Sequence, residues 1–378
     1  MDKIVFVNQW ASHPTKDIMN VFSEKVDDIA LIAGYISESG RPLKSKVKIS
    51  RIIKYNKKST ITRAITWFIA TIQIIFLINI KYRKSHLFLT SNPPTSVFIP
   101  IFCKNKYSVQ ILDIYPDALV ATKHISEKSW LNRIWVKQNK KFFQGADNVF
   151  TITEGMASTI SKYCAREKIR VIVQWPMSTA ITNIDRGKNE FIRSYNLENY
   201  FIVMYSGNIG LGHHVTSIVE VANILRDNSD IAFVIIGEGW NKLAVKKMIQ
   251  EYKLSNCLLL PFQSPHMFKH SSQAADLGVA SVSKELAMLS VPLKVYNLIH
   301  NNIPLLGITE GESELSELIS RYEIGKCFTP SQLEEISDYI INLKDNKGII
   351  LKYKQNLENC SKYYTSENAI RYLDNFGL

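Results

Sequence analysis

Short apolar runs alternate with longer stretches of helical periodicity along most of the chain, the pattern of layered parallel α/β structure. In the first half the runs predict strands at 3–7, 86–90 (HLFLT), 107–112 (YSVQIL), 148–152 (NVFTI) and 169–173 (IRVIV), with the clearest helix at 129–144. The second half is more regular. Its strands are predicted at 201–205, 231–236, 257–260, 276–280 and 304–308, and its helices at 214–226, 240–253, 264–274, 292–302 and 331–343. Residues 175–200 break the alternation and turn polar, which marks a linker. Two successive open sheets place a cleft at their strand carboxyl ends, where ligands bind in such folds. No solenoid-period repeat or low-complexity tract interrupts this order.

A length of 378 residues exceeds one ordinary core and suits two domains. The net charge of +12 is unevenly placed: residues 1–180 carry 27 Lys and Arg against 12 Asp and Glu, whereas residues 181–378 carry 19 against 22. The basic half implies a surface that meets phosphate or anionic lipid, against the plainer alternative of a solvated face kept for solubility. Nine basic residues and no acidic one fall in 41–63. The five cysteines are isolated, with no His at metal-ligand spacing, which points to a reduced compartment and no metal site. The chain opens directly on a strand, with no secretory leader expected. The apolar run 64–80 has 17 residues and includes Thr66, Thr71, Gln73 and Asn79. It is shorter than the roughly 20 residues of a membrane span and reads better as a buried crossover helix. Its basic flanks also fit an interfacial membrane contact.

The strongest local motif is Tyr205-Ser-Gly-Asn-Ile-Gly-Leu-Gly212, between a predicted strand and helix. Gly207, Gly210 and Gly212 permit close backbone approach to a ligand, and the following helix N-terminus favours an anion. The spacing is not the dinucleotide fingerprint. A second glycine turn, Gly237-Glu-Gly239, ends the strand 231–236. Lys294 falls in the first turn of the predicted helix 292–302, where a cation is unfavourable unless it serves an anion; the plainer alternative, equally open from these residues alone, is an exposed lysine.

The series YSGNIG, IIGEG, LLLPFQS, ADLGVAS, LSVPLKVYNLIHNNIPLLG and GKCF resembles the C-terminal domain of family 4 glycosyltransferases. SNPPTSVFIP, ILDIYPDALV and GADNVFTITEGM resemble the N-terminal domain of the branch that builds bacterial O-antigen, capsule and other exopolysaccharides. The resemblance spans roughly residues 85–330 and implies a GT-B fold, two Rossmann-like domains facing across a cleft. It implies an acceptor-side domain at 1–178, a nucleotide-sugar domain at 179–361, and a C-terminal helix at about 362–378 that could pack back on the first.

The activity implied is retaining, metal-independent sugar transfer from a nucleotide-sugar, with a UDP-sugar as co-substrate and no cofactor. The acceptor implied is a saccharide on polyprenyl diphosphate, so the protein is expected to be cytoplasmic and peripheral on the anionic inner membrane face. Carried over by residue, Gly207, Asn208 and Gly210 lie against the donor diphosphate, and Glu238 and Gly239 near the nucleotide. Phe262 flanks the base, Ser290 holds the sugar and diphosphate, and Lys294 counters their charge. Asp113 is the catalytic candidate, its plainer alternative being a turn cap.

This chain departs from the family pattern at several points. Asn208 and His213 stand where many relatives carry an Arg and a Lys. The E-x7-E signature falls on Leu289 and Asn297, leaving Asn297 for the ribose. The alternatives are a UDP-sugar 2-epimerase of the same fold, disfavoured by sparse acid–base residues, and a non-catalytic GT-B subunit. No motif supports nucleic-acid binding.

Overall fold

The structure, a computed structural model, describes residues 3–38, 40–56, 58–176, 184–210, 212–289 and 292–376. It divides into two compact units, Met1–Met177 with Ser366–Leu378, and Ser178–Thr365.

The first unit is built on seven parallel strands: β1 (Lys3–Val7), β2 (Asp28–Ala33), β3 (Lys48–Arg51), β4 (His86–Thr90), β5 (Tyr107–Gln110), β6 (Val149–Thr151) and β7 (Ile169–Val171). Their order is β3-β2-β1-β4-β5-β6-β7, with Ile4 opposite both Ile29 and His86. Helices cover both faces, so β1 and β2 are near-continuous apolar runs buried on both sides. β2 and β3 were not expected from sequence. The last segment returns to this unit. Tyr372 and Leu373 join Phe6 and Phe88 in its core, and Gln110 Nε2 donates to Tyr372 Oη at 2.8 Å.

The expected helix at 64–80 forms as Thr60–Lys81, started by a capping box between Ser59 and Thr62. It crosses over from β3 to β4, but the expectation that it is buried fails. Only 33% of its apolar window is buried, because the helix packs by one side while the other side is equally apolar.

The second unit repeats the plan with six parallel strands: β8 (Phe201–Ser206), β9 (Ile231–Ile236), β10 (Cys257–Leu260), β11 (Leu277–Val282), β12 (Leu305–Thr309) and β13 (Gly325–Phe328). The order is β10-β9-β8-β11-β12-β13. Alternation sends Val203, Tyr205, Phe233 and Ile235 to one face of the sheet and Ile202, Met204, Ala232 and Val234 to the other. The strand order reverses direction between β8 and β11, and ligand crevices of such sheets open at that point, beyond the strand carboxyl ends.

Candidate functional site

The segment leaving β8 and the segment leaving β9 are joined backbone to backbone. Gly207 N–H donates to Ile236 O at 2.9 Å, Ile209 N–H to Glu238 O at 2.8 Å, and Asn241 N–H to Ile209 O at 2.9 Å. This closeness explains the glycines. A Cβ on Gly237, which has positive φ, would overlap the Gly207 carbonyl oxygen. One on Gly207 would stand 2.9 Å from Lys294 Nζ. The alternate N–H groups, those of Asn208 and Gly210, have no acceptor among the described residues. One edge of the turn is therefore spent on the neighbouring loop, and the other keeps two donors beside the switch point.

Lys294 opens the helix Lys294–His300, and its side chain runs beneath this turn. The ammonium is buried and has no hydrogen-bond partner among the described residues. It sits 3.3 Å from the centroid of the Tyr205 ring, and burial drives its pKa well below the ordinary lysine value. A π face returns only about 0.5–2 kcal/mol to a cation, less than a fully desolvated charge costs. Tyr205 Oη in turn donates to Asn208 O at 2.6 Å, so one ring both underlies the cation and fixes the turn.

His213 stands beside this cation. Its Nδ1 lies 3.1 Å from Ser281 O and so carries the proton, which leaves Nε2 as the lone-pair nitrogen of the neutral ring. Burial lowers its pKa; the Ser281 contact opposes this, and the Lys294 and His214 charges add to it. A neutral His213 can donate to an anion through Nε2 only after gaining a proton.

Of the residues singled out from sequence, the structure gathers Gly207, Asn208, Gly210, Glu238, Gly239 and Lys294. The Asn208 amide lies between Gly210 and Gly239, close enough that a Cβ on either would stand 2.8 Å from it. Glu238 pairs with Lys242 at 2.5 Å, so its carboxylate already has a counter-ion. Phe262 lies past the end of β10 with 55% of its surface exposed, and Asn297 sits one turn into the Lys294 helix. Ser290 lies outside the described residues.

Asp113 belongs to the first unit, in the loop after β5. Its backbone N–H donates to Ser91 Oγ at 3.3 Å, beside the end of β4. Among the described residues its carboxylate makes no hydrogen bond or ion pair, so it is not the turn cap of the plainer alternative. Asp117 has the structural part: it pairs with Lys162 and accepts from Tyr163 Oη at 2.7 Å.

Sequence reasoning missed the Tyr205 platform; its only signal was an aromatic residue at the strand end, immediately before Ser-Gly. It also missed Glu190, His266 and His270, whose ligand atoms lie within 4.8 Å of one another. The two histidines are one turn apart on the helix Pro265–Ser271, which corrects the statement that no His has ligand spacing. However, Glu190 N–H donates to His270 Nδ1 at 3.2 Å. The neutral His270 ring then keeps its proton on Nε2, the atom facing Glu190, and has no lone pair there for a metal.

Comparison with known proteins gives this geometry a context. Residues 187–363 match the family model for glycosyl transferases group 1. The putative colanic acid biosynthesis glycosyl transferase WcaI of Escherichia coli (strain K12) is 27% identical over 197 residues, covering 50% of this chain and 47% of WcaI. The probable glycosyltransferase WbjE of Pseudomonas aeruginosa is 22% identical over 224 residues, covering 58% of this chain and 55% of WbjE. The chain thus aligns with about half the length of these curated relatives. In structure, HepE of Anabaena in complex with UDP-glucose superposes with a TM-score of 0.72 at 10% identity, covering 99% of this chain and 98% of HepE. WaaG, a glycosyltransferase involved in lipopolysaccharide biosynthesis, gives a TM-score of 0.65 at 11% identity, covering 97% of this chain and 98% of WaaG.

Two parallel Rossmann-like sheets with these neighbours give the chain a GT-B fold. Residues 187–363 are similar to a group 1 glycosyl transferase domain.

Proposed function

We propose that the protein moves a sugar from a nucleotide-sugar, a UDP-sugar by preference, to a polyprenyl-diphosphate-linked saccharide in surface polysaccharide synthesis. The observation that carries the donor half is Lys294, a buried amine with no acceptor among the described residues, beneath a turn that offers two backbone donors. A diphosphate fits that chemistry. The charge growing on the leaving phosphate would meet Lys294 and the Asn208 and Gly210 N–H groups, already placed by the fold. We therefore propose a metal-independent reaction, in which a protein cation does the neutralising. Glu238 and Gly239 fall to the nucleotide, Phe262 to the base, Asn297 to the ribose, and Ser290 to the sugar and diphosphate. Asp113 falls to the transferred sugar. Retention of configuration follows from the family resemblance.

The acceptor half draws on the basic first unit, since a polyprenyl-linked saccharide stays in its bilayer and the enzyme must come to the cytoplasmic face. The names of WcaI and WbjE favour polysaccharide synthesis as the setting.

A melting-temperature screen of UDP-, GDP- and dTDP-sugars, with and without EDTA, tests the donor reading. A ligand at about 100 times its Kd stabilises by roughly 2.7 kcal/mol. Stabilisation by a UDP-sugar unchanged by EDTA is expected. No shift with any nucleotide-sugar, or one that needs a divalent ion, refutes the proposal.

A further inference from the structure

The solvent side of the helix Thr60–Lys81 carries an apolar stripe along its length. Ile61, Ile65, Phe68, Ile72, Phe76 and Ile80 are 51–72% exposed. Their steps of three and four residues form one stripe about 29 Å long. Exposed apolar surface on that scale marks an interaction site rather than scattered surface residues.

The opposite side is tied to its own unit. Thr66 O accepts from Gln9 Nε2 at 3.1 Å, Gln73 Oε1 accepts from Ile53 N–H at 2.7 Å, and the Thr71 and Thr95 hydroxyls lie 2.6 Å apart. Ala70, Ile74 and Ile78 on that side have no exposed surface. Crossing a bilayer would strip those polar partners away in hydrocarbon, so only one side of the helix can meet lipid.

The charge around the helix selects the occupant. No Asp or Glu occurs between Arg41 and Leu112, while 14 Lys and Arg do. Arg51 and Lys58 before the helix and Arg83 and Lys84 after it are exposed and in no ion pair among the described residues. A second copy of the chain docked here about a two-fold axis would set like charges against one another. Anionic headgroups complement both ends of the stripe.

We propose that the protein is monotopic: the Thr60–Lys81 helix lies in the plane of an anionic bilayer, with its Phe68/Phe76 stripe seated below the headgroups and its basic flanks on them. This deepens and rests on the membrane-acceptor reading above, and replaces purely electrostatic attachment by insertion.

The test is flotation of the full chain with phosphatidylcholine vesicles containing about one-third phosphatidylglycerol, followed by a wash in about 1 M salt, where charges more than about 3 Å apart are screened. The wild type should float and resist the wash. The double variant Phe68→Ser/Phe76→Ser should float at low salt and be released, with partitioning at least about ten-fold weaker after the wash. Both side chains are exposed, so its melting temperature should match the wild type. A nitrobenzoxadiazole label on Phe68→Cys should shift to the blue with vesicles, and one on Lys246→Cys in the second unit should not.

Equal release of wild type and variant with no blue shift overturns insertion and leaves electrostatic attachment standing. Failure of the wild type to float at any salt overturns both readings. A lipid-free dimer abolished by the double variant assigns the stripe to a second copy and overturns the proposal.

Discussion

Lys294 Nζ rests over the Tyr205 ring, 3.3 Å from its centroid and directly below Gly207. The two residues lie on different elements, one at the end of β8 and the other at the start of a helix, and together they bury an amine whose one partner among the described residues is a π face. An arrangement of this kind costs stability in the free protein and recovers it when an anion arrives.

Replacing Lys294 by Met keeps the length of the side chain and removes the charge. The free protein should then melt a few degrees higher, because a buried amine with no acceptor among the described residues gives way to an apolar side chain, at about 2–4 °C per kcal/mol for domains of this size. Affinity for UDP should fall roughly 10- to 100-fold, the loss of one charged hydrogen bond of about 1.5–3 kcal/mol. A thermal melt of the free variant checks the first and calorimetric titration with UDP the second; unchanged affinity removes Lys294 from the site.

The pH dependence has a definite sign. Burial lowers the Lys294 pKa in the folded state, while the unfolded chain keeps the ordinary value, so the unfolded state binds more protons between the two. Stability of the free protein should therefore rise with pH across that window. An anion restores the charge, so UDP binding should take up protons and weaken as pH rises. The lowered His213 pKa acts in the same direction, since that ring must gain a proton to donate. Titrations in two buffers of different ionisation enthalpy measure the uptake; zero uptake near neutral pH contradicts this account.

Gly237→Ala sets a Cβ against the Gly207 carbonyl and should part the two loops. We expect a loss of several kcal/mol, beyond the usual range for a point substitution, together with loss of UDP binding. Gly348→Ala is the control: nothing lies within 4 Å of its added Cβ, in the helix Lys347–Ser361. It should stabilise by up to about 1 kcal/mol. Urea melts of the two variants that coincide would refute the steric argument.

Asp113 and Asp117 should separate function from structure. Asp113→Asn removes a carboxylate with no hydrogen-bond or ion-pair partner among the described residues, so stability should hold while turnover falls far more than donor affinity. Asp117→Asn weakens the Tyr163 and Lys162 contacts and should cost about 1 kcal/mol of stability with kcat nearly unchanged. Kinetics and thermal melts on both variants decide the assignment, and full turnover in Asp113→Asn would remove that residue from the reaction.

The sequence alone determined the parallel α/β class, ten of the strands in the two main sheets, and the glycine turns at 207–212 and 237–239, because apolar runs, helical periods and glycine are local signals. β3 (KISR) and β13 (GKCF) escaped because short edge strands carry polar residues and have little hydrophobic pattern. β2 (DIALIA) is apolar after Asp28, and such a run does not distinguish a strand from a buried helix. Tertiary structure alone decided three further matters. It placed the Lys294 ammonium over Tyr205, a contact between residues 89 positions apart. It showed that Asp117 has partners and that, among the described residues, the Asp113 carboxylate has no hydrogen bond or ion pair. It turned one side of the Thr60–Lys81 helix outward, which hydropathy could not reveal because both sides are apolar. The physical reason is common to all three: composition and period report what a side chain prefers, while burial and partnership depend on which distant elements the fold brings beside it.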